Sequence, residues 1–404
     1  MKQIALLIAS LLVLSSSTVW AQCKEFITTP VTSLSAGFDA WKVVTNAMAE
    51  CGDFTAELDQ DFGEKQAAAM AANPSQYSIA GVANNSLVPL LSDGLVRPLD
   101  DLVAKYGQDL TNAQLIRIDG QIMAIAMMVN AQHFMYRTDV FEDLGLDVPT
   151  TYDEVLEAAQ IIQDAGVVDY PLGGTYKAGL TLGLEFINHY LSYGGTFFND
   201  DNTPALNNEN TVAALERMKA LIQYMDPEIL ASDSTYVQQQ FQQGRIAMAN
   251  LWASRAGAMD NAEESQVVGL VEFAAAPANV EGSPPAATLW WDGMAIASNI
   301  SDEEAEAAFK LMMEGLKHEV LAANPDTAIW LSNEPIDSRV AKGAVANAQA
   351  GAPSFPASNP MGIMFEVLGN EISDYLLGSE SAEETIADIE AAYIASAKEG
   401  GLIE

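Results

Sequence analysis

A strand–helix alternation in the first hundred residues restricts the fold more than any other feature of the sequence. Apolar and β-branched residues predict short strands at 25–29, 54–58 and 77–82. The segments between them, 38–50 and 64–72, have apolar residues at helical spacing. Strands separated by helices pair side by side, because each helix carries the chain back across the sheet. The sequence therefore predicts an α/β fold with mostly parallel sheets flanked by helices.

The alternation continues in the rest of the chain. An apolar run at 121–129 predicts a strand, and Thr151 and Glu154 have the spacing of a capping box that opens a helix. From residue 360 onward nearly every segment has helical spacing. Because single hydrophobic cores stop growing at about 250–300 residues, a chain of 404 residues predicts two lobes.

The first 21 residues have the pattern of a secretory signal peptide. A basic start, Met1–Gln3, precedes an apolar stretch at 4–14, and Val19 and Ala21 fit the small-residue positions of a cleavage site after Ala21. We therefore expect the chain to be exported. A lipid anchor on Cys23 is disfavoured, because glutamine rather than a small residue precedes that cysteine.

The exported chain would keep both of its cysteines, Cys23 and Cys51. Two cysteines in an oxidising compartment most simply form one disulfide, and two separate thiols are the alternative. In the chain-entropy treatment, a loop of this size would stabilise the N-terminal region by about 3–4 kcal/mol.

The charge balance excludes one class of partner. The chain has 55 acidic and 18 basic residues, which gives a formal net charge of −37. Nucleic-acid phosphates would be repelled, so we expect no nucleic-acid partner. The acidic residues are spread along helices rather than clustered, which favours a highly charged surface over a site for a cationic ligand.

The sequence contains no pattern that marks an enzyme or a metal centre. Its three histidines, His133, His189 and His318, are isolated, and neither HExxH nor CxxC spacing occurs. No phosphate-binding loop, dinucleotide fingerprint or GxSxG elbow is present. We therefore expect no metal and no cofactor. A pair of carboxylates for glycoside hydrolysis stays open as an alternative, because acidic residues occur throughout.

Several segments, in this order, match the motifs of one family. They are Gly94-Leu-Val-Arg-Pro-Leu-Asp-Asp101, Asp119-Gly120, Tyr136-Arg-Thr-Asp-Val-Phe141, Gly145-Leu-Asp-Val-Pro-Thr-Thr-Tyr-Asp-Glu154, Phe241-Gln-Gln-Gly-Arg-Ile-Ala-Met248 with Trp252, and Pro335 with Arg339. The set resembles the family 1 extracellular solute-binding proteins of ABC importers, a carbohydrate-binding, maltose-binding-protein-like group. Tyr152 stands where this family usually has tryptophan, and the aromatic-rich first strand of many sugar binders is replaced by Thr28–Ser35.

The resemblance implies a type II-like periplasmic-binding-protein fold, with two lobes and a ligand cleft between them. We expect 22–129 and 290–333 to form the N-terminal lobe, and 130–289 and 334–404 to form the C-terminal lobe. The C-terminal helices could pack on both. The implied protein is a periplasmic monomer without catalytic activity, which captures a sugar or oligosaccharide by hinge closure and delivers it to the membrane permease of an ABC importer.

Two adjacent tryptophans, Trp290 and Trp291, are the leading site candidates. Only 6 Trp occur in the chain, and this pair precedes an expected strand at 294–298. Adjacent side chains in a strand point to opposite faces, so one ring can enter a core while the other faces the cleft. We expect Trp291 to stack on the ligand and the neighbouring Asp292 to accept hydrogen bonds from its hydroxyl groups.

Further site candidates lie at the predicted strand ends and crossovers. They are Ser35, Phe38, Asp59, Gln60, Asn84 and Asn85 in the N-terminal lobe, Asn130, Gln132 and His133 near the first crossover, Tyr176, Lys177, Trp252 and Arg255 in the C-terminal lobe, and Trp330 at the expected end of a helical segment. For the two adjacent asparagines, capping of the following helix is an equally good explanation.

Two other functions fit the same sequence. A protein of this fold could bind a polyamine or an amino-acid derivative instead of a sugar, and carboxylates converging beside Trp291 would then be needed. A periplasmic carbohydrate-active enzyme would instead need a carboxylate pair about 5–10 Å apart across the cleft.

Overall fold

The computed structural model describes residues 23–403, so the expected signal peptide lies outside the described residues. Within this range the strands are β1 (Ile27–Ser35), β2 (Gly52–Leu58), β3 (Ile79–Ala83), β4 (Leu115–Ile118), β5 (Gln121–Arg137), β6 (Tyr170–Gly173), β7 (Ile246–Trp252), β8 (Val271–Ala274), β9 (Leu289–Ile296) and β10 (Ile329–Trp330). The α-helices are α1 (Asp39–Glu50), α2 (Phe62–Ala71), α3 (Leu87–Ser92), α4 (Asp100–Tyr106), α5 (Thr138–Leu144), α6 (Tyr152–Ala165), α7 (Leu180–Ser192), α8 (Glu209–Leu221), α9 (Ser234–Gln242), α10 (Asp302–Gly315), α11 (His318–Ala322), α12 (Ala341–Gln349), α13 (Asn359–Leu377) and α14 (Ala382–Glu399).

The strands are arranged in the order β2-β1-β3-β9-β5-β7-β6, with β4, β8 and β10 also paired to β5. The pairs β1–β2, β1–β3 and β6–β7 are parallel, and helices connect them as the alternation predicts. The pairs made by β5, and the β3–β9 pair, are antiparallel. The predicted α/β fold with helices flanking the sheet is confirmed.

Strand β5 runs through both halves of the molecule. Its first part, 121–131, pairs with β4, β9 and β10. Its second part, 132–137, pairs with β7 and β8. At about 3.4 Å per residue an antiparallel strand of 17 residues is long enough to leave one sheet and enter the next. The chain therefore crosses between lobes within a continuous strand.

Two large hydrophobic cores lie on either side of this crossing. One core gathers α1, β3, the first part of β5 and α10, with Trp41, Ile125 and Phe309 fully or almost fully buried. The other gathers α6, α7, α8, α13 and α14, with Tyr190 and Tyr393 fully buried. The start of α13 also touches the first lobe, because the Ser92 hydroxyl donates to Asn359 Oδ1 at 3.1 Å. The architecture is the two-lobe fold that was expected.

Local signals predicted these elements but not all of their bounds, since the strands expected at 25–29 and 121–129 are Ile27–Ser35 and Gln121–Arg137. The capping box that opens α6 is present, since Glu154 N donates to Thr151 Oγ1 at 3.3 Å and Glu154 Oε2 accepts from Thr151 N at 3.1 Å. Two expectations are wrong. The tryptophan pair lies inside β9 instead of before it, because both residues pair with β5. Trp330 lies in a short strand on β5 rather than at a helix end. In residues 23–403, none of the helices combines the length and apolarity required to cross a bilayer.

The Cys23–Cys51 disulfide predicted from the sequence is formed, and it closes a loop over a sequence separation of 28. A double substitution, Cys23→Ser with Cys51→Ser, is expected to lower the free energy of unfolding by about 3–4 kcal/mol, because the unfolded chain regains loop entropy. Denaturant titration of both proteins, with and without reductant, measures the difference. The reductant should weaken only the parent protein. Equal midpoints for parent and variant without reductant would contradict the assignment.

Gly293 lets β9 approach β5 closely. A Cβ at this residue would lie 2.3 Å from the Ile125 carbonyl oxygen and 2.7 Å from Ala126 Cα, both backbone atoms. Gly293→Ala is therefore expected to destabilise the protein by about 1–3 kcal/mol or more through overpacking. The matched control is Gly362→Ala in α13, where a Cβ meets nothing within 4 Å and helix propensity predicts a gain of up to about 1 kcal/mol. Urea denaturation that shows equal effects for the two variants would contradict this packing argument.

Candidate functional site

The carboxyl ends of the parallel-paired strands define the candidate site. In one lobe β1, β2 and β3 end at Ser35, Leu58 and Ala83, and in the other β6 and β7 end at Gly173 and Trp252. In open α/β sheets, ligands bind in the crevice beyond the carboxyl ends of the strands. The segments that follow these five ends carry most of the predicted site residues, and β9 brings the tryptophan pair to the same crossing region.

Trp290 is the tryptophan of the pair that enters a core. It is 8% exposed and packs against Phe355, with ring centroids 4.2 Å apart, and edge-on against Trp252 at 5.7 Å. Its indole Nε1 donates to Thr288 Oγ1 at 2.8 Å. Both the ring and its polar atom are therefore used within the protein, and the indole helps to fix the position of Trp252.

Trp291 and Asp292 keep groups that the protein does not use. Trp291 is half-buried against the N-terminal core, its backbone N–H donates to Asn84 Oδ1 at 2.9 Å, and its indole N–H has no hydrogen-bond partner among the described residues. Asp292 is half-buried where β9 passes between β3 and β5, and within residues 23–403 its carboxyl has no hydrogen-bond partner. Desolvation raises the pKa of Asp292 to about 7. A carboxyl of this kind can accept or donate a hydrogen bond at neutral pH.

The side-chain amides of Asn84 and Asn130 tie the crossing strands together. Asn84 Nδ2 donates to the Leu289 carbonyl at 3.4 Å while its Oδ1 receives the Trp291 N–H. Asn130 Nδ2 donates to Ser254 Oγ at 3.1 Å, and its Oδ1 accepts from Ser254 N at 3.3 Å. The N-cap of α3 is Ser86, so capping does not explain Asn84. Asn85 next to it is half-buried.

Gln132 belongs to a buried polar network rather than to the cleft surface. Its Nε2 donates to Glu185 Oε1 at 2.8 Å and to Thr175 Oγ1 at 3.1 Å, and its Oε1 accepts from Asn188 at 2.8 Å. Asn188 Oδ1 in turn accepts from Thr288, the residue that bonds Trp290. The network therefore connects helix α7 to both crossing segments. Burial raises the pKa of Glu185 to about 7, although the Thr175 and Gln132 donors oppose the shift.

The predicted candidates Tyr176 and His133 also lie in the interior. Tyr176 is 1% exposed and lines a small cavity with Glu185, and burial raises its pKa. His133 is fully buried and stacks on Phe273 at 5.1 Å, with no hydrogen-bond partner at either ring nitrogen among the described residues. Burial lowers the pKa of His133 to about 3, so the ring is neutral at physiological pH.

The C-terminal lobe presents three of the predicted residues next to its strand ends. Trp252 is half-buried at the end of β7. Lys177 is exposed beyond β6, and its Nζ lies 3.7 Å from Asp233 Oδ2. Arg255, in the 3₁₀ segment after β7, is half-buried and donates from Nη1 to Gln238 Oε1 at 3.1 Å. These side chains combine an aromatic surface with positive charge.

The N-terminal lobe presents smaller polar groups at its strand ends. The hydroxyl of Ser35 is buried and has no partner among the described residues. Gln60 Nε2 donates to the Gly37 carbonyl at 2.7 Å, and Phe38 is half-buried against the core. Asp59 is paired with Lys65, and this hydrogen bond lowers the pKa of Asp59. The carboxylate of Asp59 is therefore already neutralised by a neighbouring side chain.

Two sets of residues lie apart from these strand ends. Trp330 is 8% exposed in the N-terminal core, and its Nε1 donates to the Asn324 carbonyl at 2.8 Å, so the protein uses both its face and its polar atom. Cys23, Cys51 and Glu314 form the one His/Cys/Asp/Glu group of residues 23–403 close enough to hold a metal ion. The two sulfur atoms are bonded to each other, so thiolate ligation would require reduction of the disulfide.

Sequence reasoning missed Glu185, Asn188 and Thr288 of the buried network. The sequence of helix α7 could have identified Glu185 and Asn188. Helix α7 reads LTLGLEFINHYLS, and ionisable or amide side chains within such an apolar helix are rarely buried without partners. The bonds of Glu185 and Asn188 to Gln132, and that of Thr288 to Asn188, span 53 to 100 residues in sequence, so no local pattern identifies these partners.

Two lobes joined by crossing strands, with aromatic and polar groups at their facing strand ends, define a two-lobe binding protein. The family model described as bacterial extracellular solute-binding protein matches residues 46–358, and the chain belongs to that family. A probable ABC transporter-binding protein of Deinococcus radiodurans is 30% identical over 207 residues, which cover 48% of this chain and 47% of the relative. The chain thus spans about half the length of the curated relatives it matches.

Solved structures show the same fold at low sequence identity. An ABC transporter solute-binding protein from Agrobacterium radiobacter K84, in complex with ribitol, has a TM-score of 0.79 and 21% identity, covering 92% of this chain and 98% of its own. One from Agrobacterium vitis S4, with bound D-mannitol, has a TM-score of 0.78 and 18% identity, covering 93% and 99%. These similarities extend over both lobes and show the same fold.

The buried Glu185 makes a prediction about stability. Its folded pKa, about 7, lies above the ordinary value of 4.5, so the folded state holds a proton that the unfolded chain loses first as the pH rises. The protein should therefore be most stable below about pH 4.5 with respect to this group, and lose about 3 kcal/mol as the pH rises through 7. Glu185→Gln, which cannot ionise, should remove this loss and be more stable than the parent at pH 8.

Denaturant unfolding of both proteins between pH 4 and pH 8 gives the difference directly. The unfolding free energies of the two proteins are compared at each pH, because His133 also affects stability. Burial lowers the pKa of His133 to about 3, so this residue destabilises both proteins equally as the pH falls. The exposed Glu366→Gln in α13 is the control and should follow the parent at every pH. If Glu185→Gln also follows the parent, the network does not bury a protonated carboxyl.

Proposed function

We propose that the protein captures a sugar or oligosaccharide in the cleft between its lobes and delivers it to the permease of an ABC importer. It acts in the periplasm as a monomer, after removal of the signal peptide, and performs no catalysis on the ligand. The observation that carries the proposal is that β9, at the crossing between the two cores, bears the half-buried ring of Trp291 on one face and the Asp292 carboxyl on the other, and this carboxyl has no partner among residues 23–403.

A sugar needs two kinds of contact at once. Its C–H faces stack on aromatic rings, and its hydroxyl groups need donors and acceptors inside a partly dry site. Trp291 and Trp252 supply the rings in this proposal. Asp292 and the buried hydroxyl of Ser35 supply hydrogen-bonding atoms that have no partner among the described residues. Lys177 and Arg255 complete the contact set from the opposite lobe.

The proposed movement is a hinge closure about the crossing segments. We place the lobe boundaries at 22–129 with 290–333, and at 130–289 with 334–404. In support of this division, residues of the N-terminal core fall within 27–128 and 294–330. Those of the C-terminal core fall within 134–286 and 355–397, apart from Trp290, which this division assigns to the N-terminal lobe although its ring packs in the C-terminal core. The bonds of Asn84 and Asn130 hold the crossing strands in register while the lobes move.

The alternative ligand, a polyamine or another cation, would need several unpaired carboxylates at the cleft. Asp59 is paired with Lys65, and Asp233 lies 3.7 Å from Lys177. Asp292 is thus the one carboxyl beside the tryptophan pair that lacks a partner among the described residues. This distribution favours an uncharged or anionic ligand. The solved structures of the same fold with ribitol and with D-mannitol bound support a polyhydroxyl ligand for this proposal.

Binding to the native state must raise the melting temperature, so a thermal-shift screen against mono- and oligosaccharides, alditols and sugar acids tests the proposal. For a ligand found in this way, Trp291→Ala is expected to weaken binding by about 10-fold or more, because a stacked aromatic face is lost. Isothermal titration calorimetry measures the change.

The control for that variant is Phe26→Ala, which removes an exposed aromatic ring at the amino end of β1 and should leave the affinity unchanged. Two results would refute the proposed function. One is a screen in which no carbohydrate or alditol shifts the melting temperature. The other is turnover of a carbohydrate, detected by chromatography of the products.

A further inference from the structure

Arg255 is the one arginine without an acidic partner in the described part of the chain. The sequence has seven arginines, all within residues 23–403. Six of them have a carboxylate oxygen within 4.0 Å of a guanidinium nitrogen. Arg255 has none, although acidic residues outnumber basic ones by 55 to 18. Its one hydrogen bond to the described residues goes to the uncharged Gln238 Oε1 at 3.1 Å.

The position of Arg255 is that of a ligand-contacting residue. It follows Trp252 by three residues, beyond the carboxyl end of β7. Asp233 in the same lobe and Asp39 at the start of α1 in the other lobe are the acidic residues whose charges act on Arg255. Its position beyond the carboxyl end of β7 puts Arg255 at the same edge of the lobe as Trp252, where ligands bind in α/β sheets.

Both of those acids already have a lysine partner. Asp39 Oδ1 lies 2.7 Å from Lys42 Nζ, and Asp233 Oδ2 lies 3.7 Å from Lys177 Nζ. The two pairs are each neutral overall, so the five side chains together carry one uncompensated positive charge, that of Arg255. Neither of these acids is therefore left to compensate the charge of Arg255.

This arrangement costs stability in the absence of a ligand. Arg255 is half-buried, and desolvation lowers its pKa, which shows that its surroundings disfavour the charged form. A desolvated charge is normally paired. Guanidinium carries five N–H donors in a planar fork that matches a carboxylate in bidentate geometry, and one of these donors is used here.

We propose that the ligand is a sugar acid whose carboxylate pairs with Arg255. The inference rests on the proposed function and names the chemical class of its ligand. The sugar ring or chain lies against the aromatic rings of Trp252 and Trp291, and the carboxylate receives the N–H groups of Arg255 that the protein leaves unused. Neutral sugars of the same stereochemistry bind more weakly, because they leave the guanidinium desolvated and without an anion.

The test compares sugar acids with their neutral parents. Isothermal titration calorimetry of the full mature protein uses D-glucuronate against D-glucose, D-galacturonate against D-galactose, and D-gluconate against D-glucitol. We expect at least one acid to bind more tightly than its parent by about 30- to 3,000-fold, the range for a charge-assisted pair shielded from water. Arg255→Gln should abolish this preference, and Arg255→Lys, which keeps the charge but not the fork, should retain part of it.

The matched control is Arg245→Gln, which removes a guanidinium just before β7, at the opposite end of the strand, where it is paired with Asp169. It should keep the preference for the acid, and thermal melts show that both variants are folded. If a neutral sugar binds as tightly as its acid, or if the preference survives in Arg255→Gln, the sugar-acid inference is overturned while the proposed function stands. If neither acids nor neutral sugars bind, both are overturned.

Discussion

The antiparallel pairing of β5 with β9 is the interaction on which the rest of the structure depends. Its backbone hydrogen bonds run from Ile125 to Ala131 on one strand and from Leu289 to Met294 on the other, across the region where the two cores meet. Each strand contributes to both cores, since Trp290 packs in one and Met294 in the other. The paired strands therefore join the two cores through one continuous ladder.

This crossing decides which polar residues remain available to a ligand. Backbone groups that leave a ladder at its ends need other partners, because buried N–H and C=O groups are rarely left unsatisfied. Asn84 and Asn130 supply those partners, and Gln132 joins the network of Glu185 behind the strands. Other polar residues at these strand ends do not bond the backbone groups, and their side chains keep polar atoms without a protein partner among the described residues. Polar residues near the cleft thus form two groups, those that bond the protein and those that have atoms available to a ligand. The hydrogen bonds of the structure distinguish the two groups, whereas sequence position alone does not.

Local signals were sufficient to predict the α/β architecture and the starts of several helices. The alternation over the first hundred residues and the Thr151–Glu154 capping box depend on neighbouring residues only, and both are found in the structure. The register of β9 depends on β5, more than 150 residues away, so the tryptophan pair was placed before the strand instead of inside it. The same reason explains the burial of His133 and Tyr176. Their burial results from packing against β8, α7 and α12, which no local pattern reveals.

The net charge of the whole chain does not determine which ligand charge Arg255 favours. A net charge of −37 is spread over the surface, and its long-range repulsion of an anionic solute is screened within about 8–10 Å at physiological ionic strength. Inside the cleft, the outcome is set by the few charges within contact distance and by their pairing. Because carboxylates are abundant here, the other six arginines each have one nearby, and a desolvated guanidinium without one is hard to explain by a shortage of acids. A surface that repels anions can therefore enclose a site that selects for them.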